Sequence, residues 1–159
     1  MLTWLALILG LAAGEQQAAS GTFISADEIA ATLKQSIANN VVDQPIKLAG
    51  IPGGHKASVA LLRRTKAETT ALIHDYVTEI YQIVEGSGTL VTGGTLEDPK
   101  ENDLTRLNAG MSQTGVHRGG ESQKVKARDV IIVPAGMAHR FSELDGPITY
   151  LVYRFEPKR

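Results

Sequence analysis

The chain has 159 residues, 43% of them hydrophobic, 21% charged and 5% aromatic, with no cysteine and a formal net charge of -1. That length supports one domain with a real core and is too short for two. Lys and Arg total 16 against 17 Asp and Glu, which argues against a groove that tracks nucleic-acid phosphates or an anionic membrane; the absence of cysteine excludes disulfides, thiolate zinc sites and thiol catalysis.

The apolar residues are unevenly spread. Leu2 to Ala13 reads LTWLALILGLAA, and the first basic residue is Lys34. Such a run has the length of a signal-peptide core and falls short of the ~20 residues that span a bilayer. Small residues at Ala12-Ala13-Gly14 and Ala18-Ala19-Ser20 suit cleavage after 14 or after 20, so residues 1–20 are expected to direct export to the periplasm or the exterior, with no stable membrane insertion after cleavage. Trp4, the single tryptophan, lies in this leader, and its loss leaves no indole for stacking on a ligand.

Ser25-Ala26-Asp27-Glu28 fits a capping box, and Ile29, Leu33 and Ile37 follow at spacing four. One amphipathic helix is expected from about Ala26 to Ala38, ended by Asn39-Asn40. Beyond it, Gly, Pro and Asn clusters separate short runs rich in Val, Ile, Tyr and Thr. Strands are expected at Ile46–Ala49, Ala57–Arg63, Ala71–His74, Thr78–Val84, Thr89–Val91, Gln123–Lys126, Val130–Val133, His139–Phe141 and Ile148–Phe155. One helix in front of so many strands predicts an all-β sandwich or barrel. The intervening 92–122 segment is rich in glycine and carries Glu97-Asp98-Pro99-Lys100-Glu101; it reads as a long hairpin with an irregular tip or a flap, most simply a solvated insertion.

Two stretches bring ionisable groups to strand ends beside glycine turns. One runs from His74 through Glu79 to Gly86, the other from Arg128 through Pro134 and Gly136 to His139. Together they resemble the two motifs of the cupin superfamily, and the resemblance covers roughly Ala71 to Phe155. His74, Glu79 and Gly86 match the first motif, with Leu72 where the family has its first histidine and Lys66 at its leading glycine. Pro134, Gly136 and His139 match the second, with Arg128 at the leading glycine and Glu143 at the asparagine.

The resemblance implies a double-stranded β-helix, or jelly-roll barrel, over residues 46–159, with residues 21–45 as helix and lead-in. It also implies a divalent metal inside the barrel. His74 and Glu79 are five apart and would face opposite sides of one flat strand; the resemblance implies the turn within Asp75 to Thr78 that brings both inward. With His139 they form a two-histidine, one-carboxylate set, which suits Fe(II) and also admits Mn, Zn, Ni or Co. Glu79 and Tyr81, which share strand parity, are the candidate catalytic residues. The expected function is oxygenase- or lyase-type chemistry on a small organic substrate, because Leu72 leaves a coordination position open. The alternative is a metal-free barrel that binds or senses a small ligand. A homodimer is the expected assembly if the chain pairs as family members often do.

Softer candidates complete the reading. His117 could close over a ligand or simply face solvent, and His55 suits a turn-capping role. Arg63 and Arg64 point to opposite faces if they share a strand, so one could enter the barrel. Met137 and Phe141 could supply an apolar wall beside His139. No nucleophile elbow, phosphate loop or dinucleotide fingerprint occurs.

Overall fold

The computed structural model describes residues 21–159; residues 1–20, where a leader is expected, and Trp4 among them lie outside the described residues. Helix α1, Ala26–Asn39, starts where Ser25 Oγ accepts the Glu28 amide at 3.1 Å and stops at Asn40 in the left-handed conformation, φ 52°. Glu28 turns away from the cap to pair with Lys47 at 2.9 Å. A strict spacing of four drifts around a helix with 3.6 residues per turn, so the inward stripe passes from Ile29 and Leu33 to Ser36, and Ile37 is left 53% exposed. Among the described residues no helix is long and apolar enough to cross a membrane.

Eleven strands follow: β1 Asp43–Ile51, β2 His55–Arg64, β3 Ala71–His74, β4 Thr78–Glu85, β5 Ser87–Thr92, β6 Thr95–Asp103, β7 Met111–Arg118, β8 Glu121–Lys126, β9 Val130–Val133, β10 His139–Leu144 and β11 Ile148–Glu156. They form two antiparallel sheets, ordered β1-β2-β11-β4-β9 and β6-β7-β3-β10-β5-β8. The result is a jelly-roll barrel, and all nine strands expected from the sequence are present.

The 92–122 segment forms a hairpin, one of the forms expected of it. β6 and β7 pair along their length, with a register shift between Glu97 and Lys100 where Asp98 adopts φ 52°. A 3-10 turn, Thr105–Leu107, joins them. β6 shows no alternation because both its faces are largely exposed, which removes the period-2 signal on which sequence reading depends.

Inward side chains change character along the barrel axis. β11 presents Ile148, Tyr150, Val152 and Arg154, and β4 presents Ile83, Tyr81 and Glu79; Tyr150 is in register with Ile83, Val152 with Tyr81, and Arg154 with Glu79. Ile83, Ile148, Leu90, Val125 and Phe141 fill one end as a packed core. Tyr81 and Tyr150, with ring centroids 5.0 Å apart, form a middle layer. The charged pair Glu79 and Arg154 stands at the other end, only 2% and 3% exposed.

Candidate metal centre

β3 ends at His74 in one sheet, and the chain bends through Asp75 to Val77 before β4 begins at Thr78 in the other. The bend lets residues five apart converge: His74 Nε2 lies 3.3 Å from Glu79 Oε2. β10 pairs with β3 through His139 opposite Leu72, and His139 Nε2 lies 3.6 Å from the same carboxylate oxygen. One donor atom from each of the three buried residues falls within 4.8 Å of the others. Leu72 borders the same cavity, so the fourth position contributes a methyl-bearing wall and no donor.

The hydrogen bonds assign the imidazole tautomers. His74 Nδ1 is 2.9 Å from the Ala109 carbonyl oxygen, with Ser112 Oγ at the same distance. His139 Nδ1 is 3.0 Å from the Met137 carbonyl oxygen. A carbonyl oxygen only accepts, so each Nδ1 carries the proton and each Nε2 presents a lone pair. Two nitrogen lone pairs and an anionic oxygen thus point at one another in a buried space. Left alone they repel; a cation or a proton between them resolves the conflict.

The three residues fit a metal ion on this chemistry. Both separations lie below the ~4.2 Å that two ligands, each about 2.1 Å from one ion, can span. Each imidazole also has the backbone acceptor that fixes a ligating histidine.

Burial pushes the Glu79 carboxyl up, but with the imidazoles protonated the hydrogen bond and charge of His74, then the charges of Arg154 and His139, outweigh it and hold the group well below the usual carboxylate range. With both imidazoles neutral, Arg154 Nε–H still donates to Oε1 at 2.8 Å and favours the ionised form. Burial lowers the His139 imidazole against the opposing charge of Glu79. Tyr81 O–H donates to Glu79 Oε2 at 2.7 Å, and burial, then the adjacent Glu79 charge, raises its phenol well above the ordinary value. Tyr81 is therefore a hydrogen-bond donor that keeps its proton.

Of the softer candidates, Arg64 enters the barrel, donating Nε–H to Tyr150 Oη at 2.8 Å and pairing with Glu68 at 2.9 Å. His117 is half-buried on β7, held by its Nε2 at 2.7 Å from the Gly93 carbonyl oxygen, and does not approach the centre. His55 accepts the Lys158 amide at 3.1 Å, so it ties down the C-terminal segment. Phe141 belongs to the packed core, and Met137 packs against that core; the apolar lining of the cavity comes instead from Leu62, Leu72 and Leu104.

Asp43 and Arg154 are the site residues that the sequence reading missed. Arg154 could have been found from parity, because it follows Ile148, Tyr150 and Val152 at even spacing. Asp43 precedes the apolar part of β1 and carried no signal.

No family model and no curated protein matches this sequence. Solved structures do. The chain is similar to BH2720 from Bacillus halodurans, with a TM-score of 0.51 and 17% identity over 86% of this chain and 83% of that one. It is also similar to a cupin protein from Bacteroides fragilis, with a TM-score of 0.43 and 17% identity over 63% of this chain and 65% of that one. A third similar structure is hydroquinone 1,2-dioxygenase from Sphingomonas sp. TTNP3, with a TM-score of 0.44 and 13% identity over 64% of this chain and 60% of that one. The chain spans less than two thirds of the length of the last two. At 17% identity the likeness to the first of these speaks to the fold alone. The fold is a jelly-roll barrel. Its closed end is the apolar core, and its polar end holds His74, Glu79 and His139.

Proposed function

We propose that the protein binds one divalent transition metal through His74, Glu79 and His139 and uses it on a small organic substrate. The observation that carries this reading is the convergence of two imidazole lone pairs and an ionised carboxylate inside a buried cavity. Two nitrogens and one oxygen suit Fe(II), and Mn, Zn, Ni or Co fit the same donors. When bound, the metal supplies Lewis acidity, or oxygen activation if it is iron. The chain's own residues do the rest. Glu79 and the two histidines form one face of donors, and Leu72 leaves the position opposite His139 in the β3–β10 pairing without a donor. This open position supports oxygenase- or lyase-type chemistry. Tyr81 holds its proton at Oη beside Glu79 Oε2, where it can orient the carboxylate or donate to a bound oxygen atom.

The cavity measures about 30 Å³ and is lined by Asp43, Arg64 and Leu104 besides the donors. That is enough to hold an ordered water and too little for an organic substrate. Leu62, Leu72 and Leu104 favour an apolar portion in whatever enters. The apolar leader supports export to the periplasm or the exterior.

One observation favours a metal-free ligand-binding barrel as the second reading: Arg154 already gives Glu79 a cationic partner, though one shared with Asp43. Elemental analysis of the purified protein separates the two. One equivalent of metal in the wild type and its loss in His139→Ala is the expected result; no metal under any loading condition overturns the proposal.

A further inference from the structure

We infer that Arg154 is a positioning residue for the metal centre, holding Glu79 so that Oε2 is the single carboxylate oxygen offered to an ion. Resting on the metal reading above, it adds a residue that the sequence motifs do not contain.

All three nitrogens of the guanidinium are engaged. Nε–H donates to Glu79 Oε1 at 2.8 Å, Nη2 to Asp43 Oδ2 at 2.5 Å, and Nη1 to the Leu107 carbonyl at 2.6 Å. Nη1 also lies 3.4 Å from Asp43 Oδ1. Because the guanidinium is planar and rigid, fixing it at three points fixes the plane from which it grips Glu79. The two side chains start from paired positions on β11 and β4, so the backbone itself sets their approach.

A carboxylate bound to a metal is free to use one oxygen or both. Here one of the two lone-pair sites on Oε1 is taken by Arg154, and a cation at the other would lie beside the guanidinium, a like charge. Oε2 faces the other way, toward both Nε2 atoms and the Tyr81 hydroxyl. Asp43, Arg154 and Glu79 sum to one negative charge, which still favours a cation. The bond to Leu107 extends the arrangement to the barrel mouth, because Leu107 ends the 3-10 turn that follows Leu104, a wall of the cavity. A lysine cannot reproduce this, since an ammonium offers one point charge and cannot span Glu79, Asp43 and a carbonyl in fixed directions.

The test uses Co(II) alone as the probe, with affinity read by chelator competition and coordination read from its visible absorption bands. Arg154→Lys should weaken Co(II) binding about 10–100-fold, as loss of an outer partner of a metal ligand does, and should change the bands as Glu79 becomes free to bind through both oxygens. Asp43→Asn keeps Arg154 and Glu79 but slackens the clamp, and should move both readouts in the same direction by less; it carries the test if Arg154→Lys does not fold. A folded variant with unchanged affinity and unchanged bands overturns the inference, even if its thermal midpoint has dropped, since a purely structural ion pair would behave in that way. A wild-type protein that takes up no Co(II) overturns the metal reading itself, and the positioning role with it.

Discussion

Glu79→Gln separates the charge of the site from its shape. The amide keeps the volume of the side chain and an acceptor for Arg154 while removing the negative charge. Arg154, 3% exposed, is then left with Asp43 as its only carboxylate. Removing one partner of a buried ion pair costs about 3–5 kcal/mol. Asp43 remains 2.5 Å from Nη2, so the cost belongs at the lower end, about 3 kcal/mol by the same rule. For a domain of this size that lowers the thermal midpoint by about 10 °C. The assay is thermal and urea denaturation with a chelator present, so that no metal contributes to either protein. Repeating it with divalent metal at a hundred times its dissociation constant adds about 2.7 kcal/mol to the wild type and little to the variant, so the gap widens. A variant as stable as the wild type in chelator would refute the reasoning, because it would mean that Arg154 does not need the Glu79 charge in the metal-free state.

Acid should destabilise the metal-free protein in a defined order. The buried His139 imidazole has a lowered pKa, so below about pH 6.5, the ordinary imidazole value, the unfolded chain binds the proton that the folded one refuses. Stability then falls with pH. Glu79 is also held low, so its contribution, complete above the ordinary carboxylate range, is lost as pH drops through that range toward its folded value. Urea midpoints from pH 8 to pH 3 should therefore decline throughout, and a stability maximum below pH 5 would contradict both assignments. Arg128 sits at φ 80° in the turn between β8 and β9, closed by the Asp129 amide on the Lys126 carbonyl at 3.0 Å. The third residue of such a turn favours glycine, so Arg128→Gly should stabilise the fold by about 1 kcal/mol, read as a higher urea midpoint. Tyr81→Phe removes a single donor from Glu79 Oε2; it should leave the fold intact and weaken metal about tenfold, measured by chelator competition.

Much of the barrel was legible because most of its strands are half-buried. β4 alternates between buried and exposed positions, while β2 and β11 read as apolar runs buried on both faces; inward residues of one parity from all three form the core. β6 was illegible for the converse reason: Thr95 to Asp103 buries neither face, and its pairing with β7 is held by backbone hydrogen bonds that leave no trace in side-chain choice. At the site, His74, Glu79 and His139 were nameable through the family motifs they resemble, as was the turn that unites the first two, since spacing alone sets His74 and Glu79 on opposite faces of a strand. The clamp around Glu79 could not. Arg154 lies 75 residues from Glu79 in sequence, and Asp43 lies 111 from Arg154; only strand pairing makes them neighbours. The motif positions that depart from the family also divide physically. Arg128 keeps the left-handed backbone that a glycine would adopt more cheaply, whereas Leu72 keeps its place beside His139 and changes the chemistry.

The bend between β3 and β4 has a mechanical consequence. His74 and His139 belong to one sheet and Glu79 to the other, so an ion shared by the three would be a cross-link between sheets in a chain with no cysteine to make one. Loading and stripping the metal would then tighten and release the seam at the polar end of the barrel while the apolar end stayed shut. Amides near that seam, in β3, β4 and β10, would carry the difference in hydrogen exchange.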